Sequence, residues 1–264
     1  MLTQVCQRWR DRRGAYRPAG ETISTRLYEV AKLDRLTAKA FVLQHHYSGS
    51  FPAARFCAGL YRTGELVGVA ALSVPASQAA LEAALPFGGG EGRTELGRFV
   101  LRDDVEANGE SWFLARLWDL ARAEGFTAVV AHSDPAARFV GQKRVFAGHV
   151  GTIYQATNAT YVGRTMRRTV RMYADGTVLS DRALSKLRVK DRGWERVAEQ
   201  LVAHGAPAPS GDHRAWVKLA TDAVSTPVRH PGNHRYVWAL DKTLKKRLPD
   251  SLAYPKVALP VVAR

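Results

Sequence analysis

At 264 residues and 46% hydrophobic content, the chain has room for one large domain or for a domain with an appendage, and its composition is that of a globular protein. Two cysteines, Cys6 and Cys57, exclude a disulfide framework and a four-thiolate zinc site. No apolar run is long enough to span a bilayer, so a cytoplasmic protein without a membrane partner is expected. The formal charge of +15 points to a polyanion, with nucleic acid, double-stranded DNA included, ahead of an anionic membrane surface.

That charge is uneven. Residues 1 to 160 hold 19 Lys/Arg against 15 Asp/Glu, whereas residues 161 to 264 hold 20 against 9, so the polyanion surface is expected in the C-terminal part. Residues 1 to 30 begin with five arginines (Arg8, Arg10, Arg12, Arg13 and Arg17) and read as a mobile basic arm. From Thr37 a helix runs towards Tyr47, Ser48 and Gly49, placing His45 and His46 at its C-terminus. Arg55 to Tyr61 and Leu66 to Val74 form a hairpin, and Thr94 to Leu101 is a further strand that puts Glu95 and Arg98 on opposite faces. Glu110 to Glu124 is an amphipathic helix, and Phe126 to His132 is a buried strand ending in Ser133, Asp134 and Pro135.

The next stretch, FAGHVGTIYQATNATYVGRT from Phe146 to Thr165, is the one that the rest of the chain is organised around. Its glycines allow close backbone approach, and Tyr154 and Gln155 put a stacking face beside an amide, as a binding wall requires. A strand follows over Arg164 to Tyr173. Residues 180 to 226 then read as a helical insertion, before the strand His234 to Leu240 and a basic tail from Lys242. The expected fold is α/β: a core of residues 31 to 179, joined by the last strand within 227 to 264, in which helices cross over parallel strands.

On these elements the chain resembles the Mom family of phage DNA-modification proteins, whose fold is similar to the Gcn5-related N-acetyltransferases. The matching pieces are HYS (46 to 48), ELGRFVL (95 to 101), NGESWFL (108 to 114), HSDP (132 to 135), GHVGTIYQATN (148 to 158) and HRYVWAL (234 to 240). The resemblance implies a transferase that converts adenine in DNA to an N6-carbamoylmethyl derivative and so shields phage DNA from restriction. One segment departs from the superfamily pattern. Where a glycine-rich loop would hold coenzyme A, this chain has DDVEANGES, whose acids Asp103, Asp104, Glu106 and Glu110 would repel a pyrophosphate. The donor therefore stays open between an acyl-CoA and a glycine-like compound.

Modifying N6 requires gripping an extruded base and removing a proton. Tyr47, Phe51, Trp112 and Tyr154 can stack, while Gln155 and Asn158 can read an adenine edge. Asp134, at a strand end, is the first candidate base, with a turn-capping role as its alternative; His46 and His149 follow, with Tyr47 and Ser48 beside them in the matched motif. Asp134, His46 and His149 together make a two-histidine, one-carboxylate set suited to iron. Glu95, Arg98, Asn108, Glu110, Ser111, Ser133 and Gly151 complete the expected substrate wall, Glu110 and Ser111 with helix capping as their alternative. Arg164, Arg167, Arg168, Arg171, Lys242, Lys245, Lys246 and Arg247 are expected to hold phosphates. Two rival functions remain: an acyl-CoA-dependent N-acyltransferase acting on a small molecule or protein, and a non-catalytic DNA-binding protein.

Overall fold

The computed structural model describes residues 5–8, 15–18, 20–75, 78–85, 87 and 90–256. Two short strands, β1 (Val5–Arg8) and β2 (Ala15–Pro18), pair antiparallel. The side chains of the five arginines of the expected basic arm lie outside the described residues. The chain divides into two compact units, the first made of residues 1–135, 147–165 and 233–264 and the second of 136–146 and 166–232.

In the first unit, a 3-10 turn at Thr25–Leu27 leads into β3 (Tyr28–Lys32), an edge strand within what the sequence suggested was the arm. Helix α1 (Arg35–His45) starts where the Asp34 side chain accepts the N–H groups of Leu36 and Thr37, satisfying donors that have no partner inside the helix. Strands β4 (Ala54–Arg62) and β5 (Glu65–Ser73) form the expected hairpin, with Thr63 and Gly64 both at positive φ in its turn. Then come the short helix α2 (Gln78–Glu82), β6 (Arg93–Leu101), α3 (Gly109–Ala123) and β7 (Ala128–Ser133). After the excursion into the second unit, α4 (Thr152–Ala156) and β10 (Thr160–Arg164) follow, and later β14 (His234–Ala239) and α8 (Lys242–Arg247).

Among the described residues these strands form one mixed sheet of seven, in the order β10-β14-β7-β6-β5-β4-β3. Strand β14 lies between β10 and β7, so the last strand does return to the core sheet. The pairs are antiparallel except β6 with β7, a correction to the expected set of parallel strands with crossover helices. Phe113, Leu114, Leu117 and Ala121 of α3 are fully buried against Leu60, Val67, Leu72 and Val129 of the sheet. On the other face Ala38, Phe41 and Val42 of α1 cover Val69, Ala71 and Val100.

The second unit holds the ribbon β8 (Arg138–Val140) and β9 (Lys143–Phe146), and strands β11 (Arg168–Tyr173), β12 (Val178–Leu179) and β13 (Ser225–His230) in the order β12-β11-β13. Helices α5 (Asp181–Val189), α6 (Trp194–Ala203) and α7 (His213–Val224) enclose a core of Tyr173, Leu179, Leu187, Leu201 and Trp216. This unit is larger than the expected insertion at 180 to 226. Strand β11 pairs with β13 across more than fifty residues of chain and so belongs here, and the expected single strand 164 to 173 is broken between β10 and β11.

Candidate functional site

Strands β6 and β7 are paired only over Arg93↔Ala128, Thr94↔Val129 and Glu95↔Val130. Since β6 continues to Leu101 and β7 to Ser133, the strands part beyond that point and leave backbone groups with no ladder between them. Open sheets collect ligands at such strand ends.

A bulge decides which side chains meet at this opening. Between Leu96↔Leu72 and Arg98↔Ala71 the register slips by one residue, with Gly97 as the extra one. The slip keeps Glu95 and Arg98 on one face, where strict alternation places them on opposite faces; that expectation is corrected. A Cβ at Gly97 would lie 2.3 Å from Ser73 Oγ, so the bulge requires glycine.

Arg98 is fastened to the segment after α1: its Nε donates to Ser50 O at 2.9 Å and its Nη2 to Ser50 Oγ at 2.7 Å. Burial lowers its pKa, while Tyr47, Glu95 and Tyr154 act to raise it. In the same segment, the Ser48 N–H donates to Nδ1 of the buried His46 at 3.1 Å, and the Ser48 hydroxyl lies 2.9 Å from the same nitrogen. Nδ1 is thus the acceptor, which leaves the proton on Nε2. Burial first, then Arg98 and His149, holds the His46 pKa well below its ordinary value, so the ring is neutral at pH 7. Tyr47 packs on it with ring centroids 4.4 Å apart.

Across the opening, Asp134 follows β7, and its carbonyl accepts the N–H of His149 at 2.7 Å. Burial pushes the His149 pKa down to about 4, with Asp134 opposing the shift and His234 adding to it. Tyr154, at the start of the wall, is buried edge-on against Tyr236 and Trp238, and its pKa is raised by burial and by Tyr47. Gly151 has φ +78°, and a Cβ there would meet Tyr154 at 2.7 Å and Tyr236 at 2.8 Å. It is therefore needed for packing as much as for access. Ser133 Oγ is fully buried without a hydrogen-bond partner. A contact not foreseen is His132 Nδ1 with Glu95 Oε1 at 3.3 Å, joining β7 to β6 where they diverge. Its only sequence signal was a histidine at the end of an apolar run.

Other expected residues are placed elsewhere. Gln155 does not offer its amide to a base: Nε2 donates to Val150 O, Tyr236 Oη and Pro255 O at 3.1 to 3.3 Å, stapling the C-terminal segment. Asn158 is an exposed turn residue at φ +58°. Phe51 packs against the α1 cluster, and Trp112 is held edge-on to Tyr28 with Arg116 over its ring. Asn108 is exposed before α3, and Ser111 Oγ donates to its carbonyl at 3.1 Å, the geometry of a helix start; Glu110 sits in the same first turn. The acidic loop is also less repulsive than its sequence suggests. Asp104 pairs with both Arg62 and Arg102, and Glu106 accepts the Tyr28 hydroxyl and lies 3.9 Å from Arg62. Among the described residues no three His, Cys, Asp or Glu side chains group to hold a metal ion, and His46 Nδ1 already accepts from Ser48. The iron set does not fit.

The basic residues divide similarly. Lys242, Lys245, Lys246 and Arg247 are exposed on α8, and Arg164 and Arg167 are exposed. Arg164 approaches His234 Nε2 at 3.4 Å, whose Nδ1 lies 2.7 Å from Tyr161 Oη. Arg168 pairs with Asp181, and Arg171 is bound to Asp222, Thr221 and Ser225; these two are structural, not phosphate-ready. No helix among the described residues is long and apolar enough to cross a membrane.

A family model described as the Mom protein family matches residues 27–256. No curated protein matches the chain. Similar solved structures include a tandem GNAT protein from the clavulanic acid biosynthesis pathway, at 12% identity and TM-score 0.42, over 81% of this chain and 99% of that one. An N-acetyltransferase from Staphylococcus aureus has 12% identity and TM-score 0.35, over 81% of this chain and 99% of that one. An aminoglycoside 6'-N-acetyltransferase from Enterococcus faecium has 13% identity and TM-score 0.35, over 56% and 91%.

Proposed function

This chain belongs to the Mom protein family, and from that premise we propose that it modifies DNA at the exocyclic N6 of adenine, attaching a carbamoylmethyl group that shields the DNA from restriction. The observation that carries the reading is the set of proton acceptors at the mouth of the parted strands. Asp134 stands beside His149, whose pKa of about 4 leaves the ring uncharged, and His46 is neutral as well. The N6 lone pair is delocalised into the purine ring, so bond formation at N6 needs its proton taken as the new N–C bond forms and as the transferred carbon breaks from its donor, whose leaving group departs with the electron pair of that bond. A carboxylate at the strand end can accept that proton, and the neutral His149 imidazole can hold it or pass it on.

Positioning falls to the residues around these acceptors. Tyr47 offers a ring face beside His46, and Arg98, anchored to Ser50, puts a cation near the opening, where it can neutralise charge developing on the donor. Duplex DNA must release the base before any of these groups reach it. The test is to express the protein in bacteria, digest the cellular DNA to nucleosides and weigh the deoxyadenosine. A heavier deoxyadenosine carrying the carbamoylmethyl mass is expected; unmodified DNA from cells containing folded protein overturns the reading.

One observation favours a second reading, acyl-CoA-dependent acylation of another amine. The pairing of Asp104 and Glu106 with Arg62, Arg102 and Tyr28 weakens the repulsion that spoke against a pyrophosphate. Tight coenzyme A binding together with unmodified DNA would establish it.

A further inference from the structure

Between Asp134 and His149 the chain makes the β8–β9 ribbon, residues 136–146 of the second unit. The segment AARFVGQKRVF has three cations and no carboxylate. Its register pairs Phe139 with Arg144 and Val140 with Lys143, and a bulge before Phe146 accommodates Val145. Residues paired across an antiparallel ribbon share a face, and neighbours along a strand alternate. Phe139 and Arg144 therefore face one way, Val140 and Val145 the other.

The second face is held down at Val145, while Val140 stays 38% exposed. A Cβ at Gly176, in the turn after β11, would lie 2.4 Å from Val145 and 3.5 Å from Val140, so this turn packs closely on the ribbon and has to be glycine. The first face is open. Phe139 is 52% exposed on a two-stranded element, with the exposed Arg144 directly across from it and the exposed Lys143 at the tip. An exposed aromatic ring costs solubility and contributes nothing to the core cluster of this unit. A ring with Arg144 on its own face and Lys143 on the other face at the tip, neither of them paired with an acid among the described residues, suits one kind of partner: a flat base with phosphates beside it.

We propose that the β8–β9 ribbon grips the DNA strand, Phe139 stacking on an unpaired base while Arg144 and Lys143 hold the adjoining phosphates. The proposal rests on the DNA reading above and adds to it the element that takes hold of the opened strand. The ribbon leaves the chain just after Asp134 and returns just before His149, so the His149 N–H bond to the Asp134 carbonyl closes its base.

The experiment measures binding of the full-length protein to a fluorescein-labelled single strand and to its duplex, over a range of salt concentrations. Phe139→Ala should weaken single-strand binding about 5- to 100-fold, the range of one base–aromatic stack, and Phe139→Trp should restore it. Lys143→Gln with Arg144→Gln should weaken both probes and flatten the dependence of log K on log salt by roughly two units for duplex. These side chains are exposed, so the melting temperatures should stay at the wild-type value. If the wild type binds with a steep salt slope and the ribbon variants follow it, the ribbon proposal falls and the DNA reading stands. If Phe139→Trp binds as weakly as Phe139→Ala, stacking is refuted. If the wild type retains neither probe at low salt, the DNA reading fails and takes the ribbon with it.

Discussion

The two units use polar residues in opposite ways. The first has 24 Lys/Arg against 17 Asp/Glu, and its functional candidates are sunk among aromatic rings: His46, Ser133, Tyr154 and His234 are buried. The second, 78 residues long, has 15 against 7, a net charge of +8, and keeps its cations outside a small core built on Leu187, Leu201 and Trp216. Burial in the first unit fixes protonation states, because desolvation penalises the charged forms of His46, His149 and His234. Exposure in the second keeps charge available to a polyanion, where field strength matters and exact position does not. The comparison predicts that substitutions at the opening in the first unit alter chemistry at constant affinity, and that substitutions in the second alter affinity or stability at constant chemistry.

The largest effect should come from Asp134→Asn. An amide of the same shape cannot take the N6 proton, so the modified fraction of deoxyadenosine should fall by about 10²- to 10⁴-fold while melting temperature and duplex affinity hold. The backbone carbonyl that accepts from His149 is unchanged by the substitution. Wild-type modification by this variant would make Asp134 a turn residue and pass the base role to His149 or His46. Asn158→Ala, in an exposed turn, should by contrast leave modification near wild type.

In the second unit, Leu201→Ala should be the most damaging change. Leu201 is fully buried at the centre of the α5–α7 core, and a leucine truncation there costs about 2 to 5 kcal/mol. A core this small has little to spare, so calorimetry should show a transition moving to lower temperature. A single transition shifted as a whole would mean that the two units unfold together.

How much of this was legible in the sequence follows from the range of the interactions. The β4–β5 hairpin and α3 were readable because a four-residue turn and an apolar helix stripe are local signals. Strand β13 was not: STPVRH is polar and contains Pro227, and it is a strand only because it lies at a sheet edge beside β11. The same distant pairing moved the unit boundary back to Met166. At the site, the sequence offered His46, Asp134 and His149 as candidates for the chemistry and Tyr154 for the wall, and the fold brings His149 against the Asp134 carbonyl and within electrostatic reach of His46. The relation of Glu95 to Arg98 was missed because one extra residue at Gly97 shifts the phase of the strand, and nothing in a two-residue alternation reports a bulge. Gln155 and Trp112 looked available since a sequence cannot show that their polar or ring faces already have partners.

A milder perturbation separates the units by pH. His149 and His234 have folded pKa values near 4, and that of His46 is also depressed, against about 6.5 in the unfolded chain. Above pH 6.5 these rings are neutral in both states and the pH has no effect through them. As pH falls from 6.5 towards 4, the unfolded chain takes up protons that the folded first unit refuses, so stability should drop, by at most about 1.4 kcal/mol per pH unit per histidine. Denaturant midpoints at pH 7, 6, 5 and 4.5 measure this. His149→Gln should reduce the slope, and an unchanged midpoint across the range would refute the buried neutral state.

The smallest expected effects discriminate most finely, because they separate two arginines four residues apart. Arg167 is exposed, whereas Arg171 donates to Asp222 Oδ1 at 2.6 Å, Ser225 O at 2.8 Å and Thr221 O at 3.0 Å and ties β11 to the end of α7. Removing the Arg171 guanidinium takes a charged donor from all three acceptors, although Thr221 O keeps Ser225 and Asp222 keeps Lys218, which should cost about 1 to 2 kcal/mol in Arg171→Gln and lower the melting temperature. Its charge is already met by Asp222, so the salt dependence of duplex binding should stay as in the wild type. Arg167→Gln should do the reverse, leaving the melting temperature alone and flattening the log–log salt slope by about one unit if the side chain holds a phosphate. Salt titrations and melting curves on the two variants, run side by side, measure both quantities. Should Arg171→Gln flatten the slope while folding normally, its ion pair opens to receive DNA and the division between structural and phosphate-binding arginines fails. Should Arg167→Gln change neither quantity, the duplex lies elsewhere, and Lys242, Lys245, Lys246 and Arg247 on α8 become the residues to neutralise next.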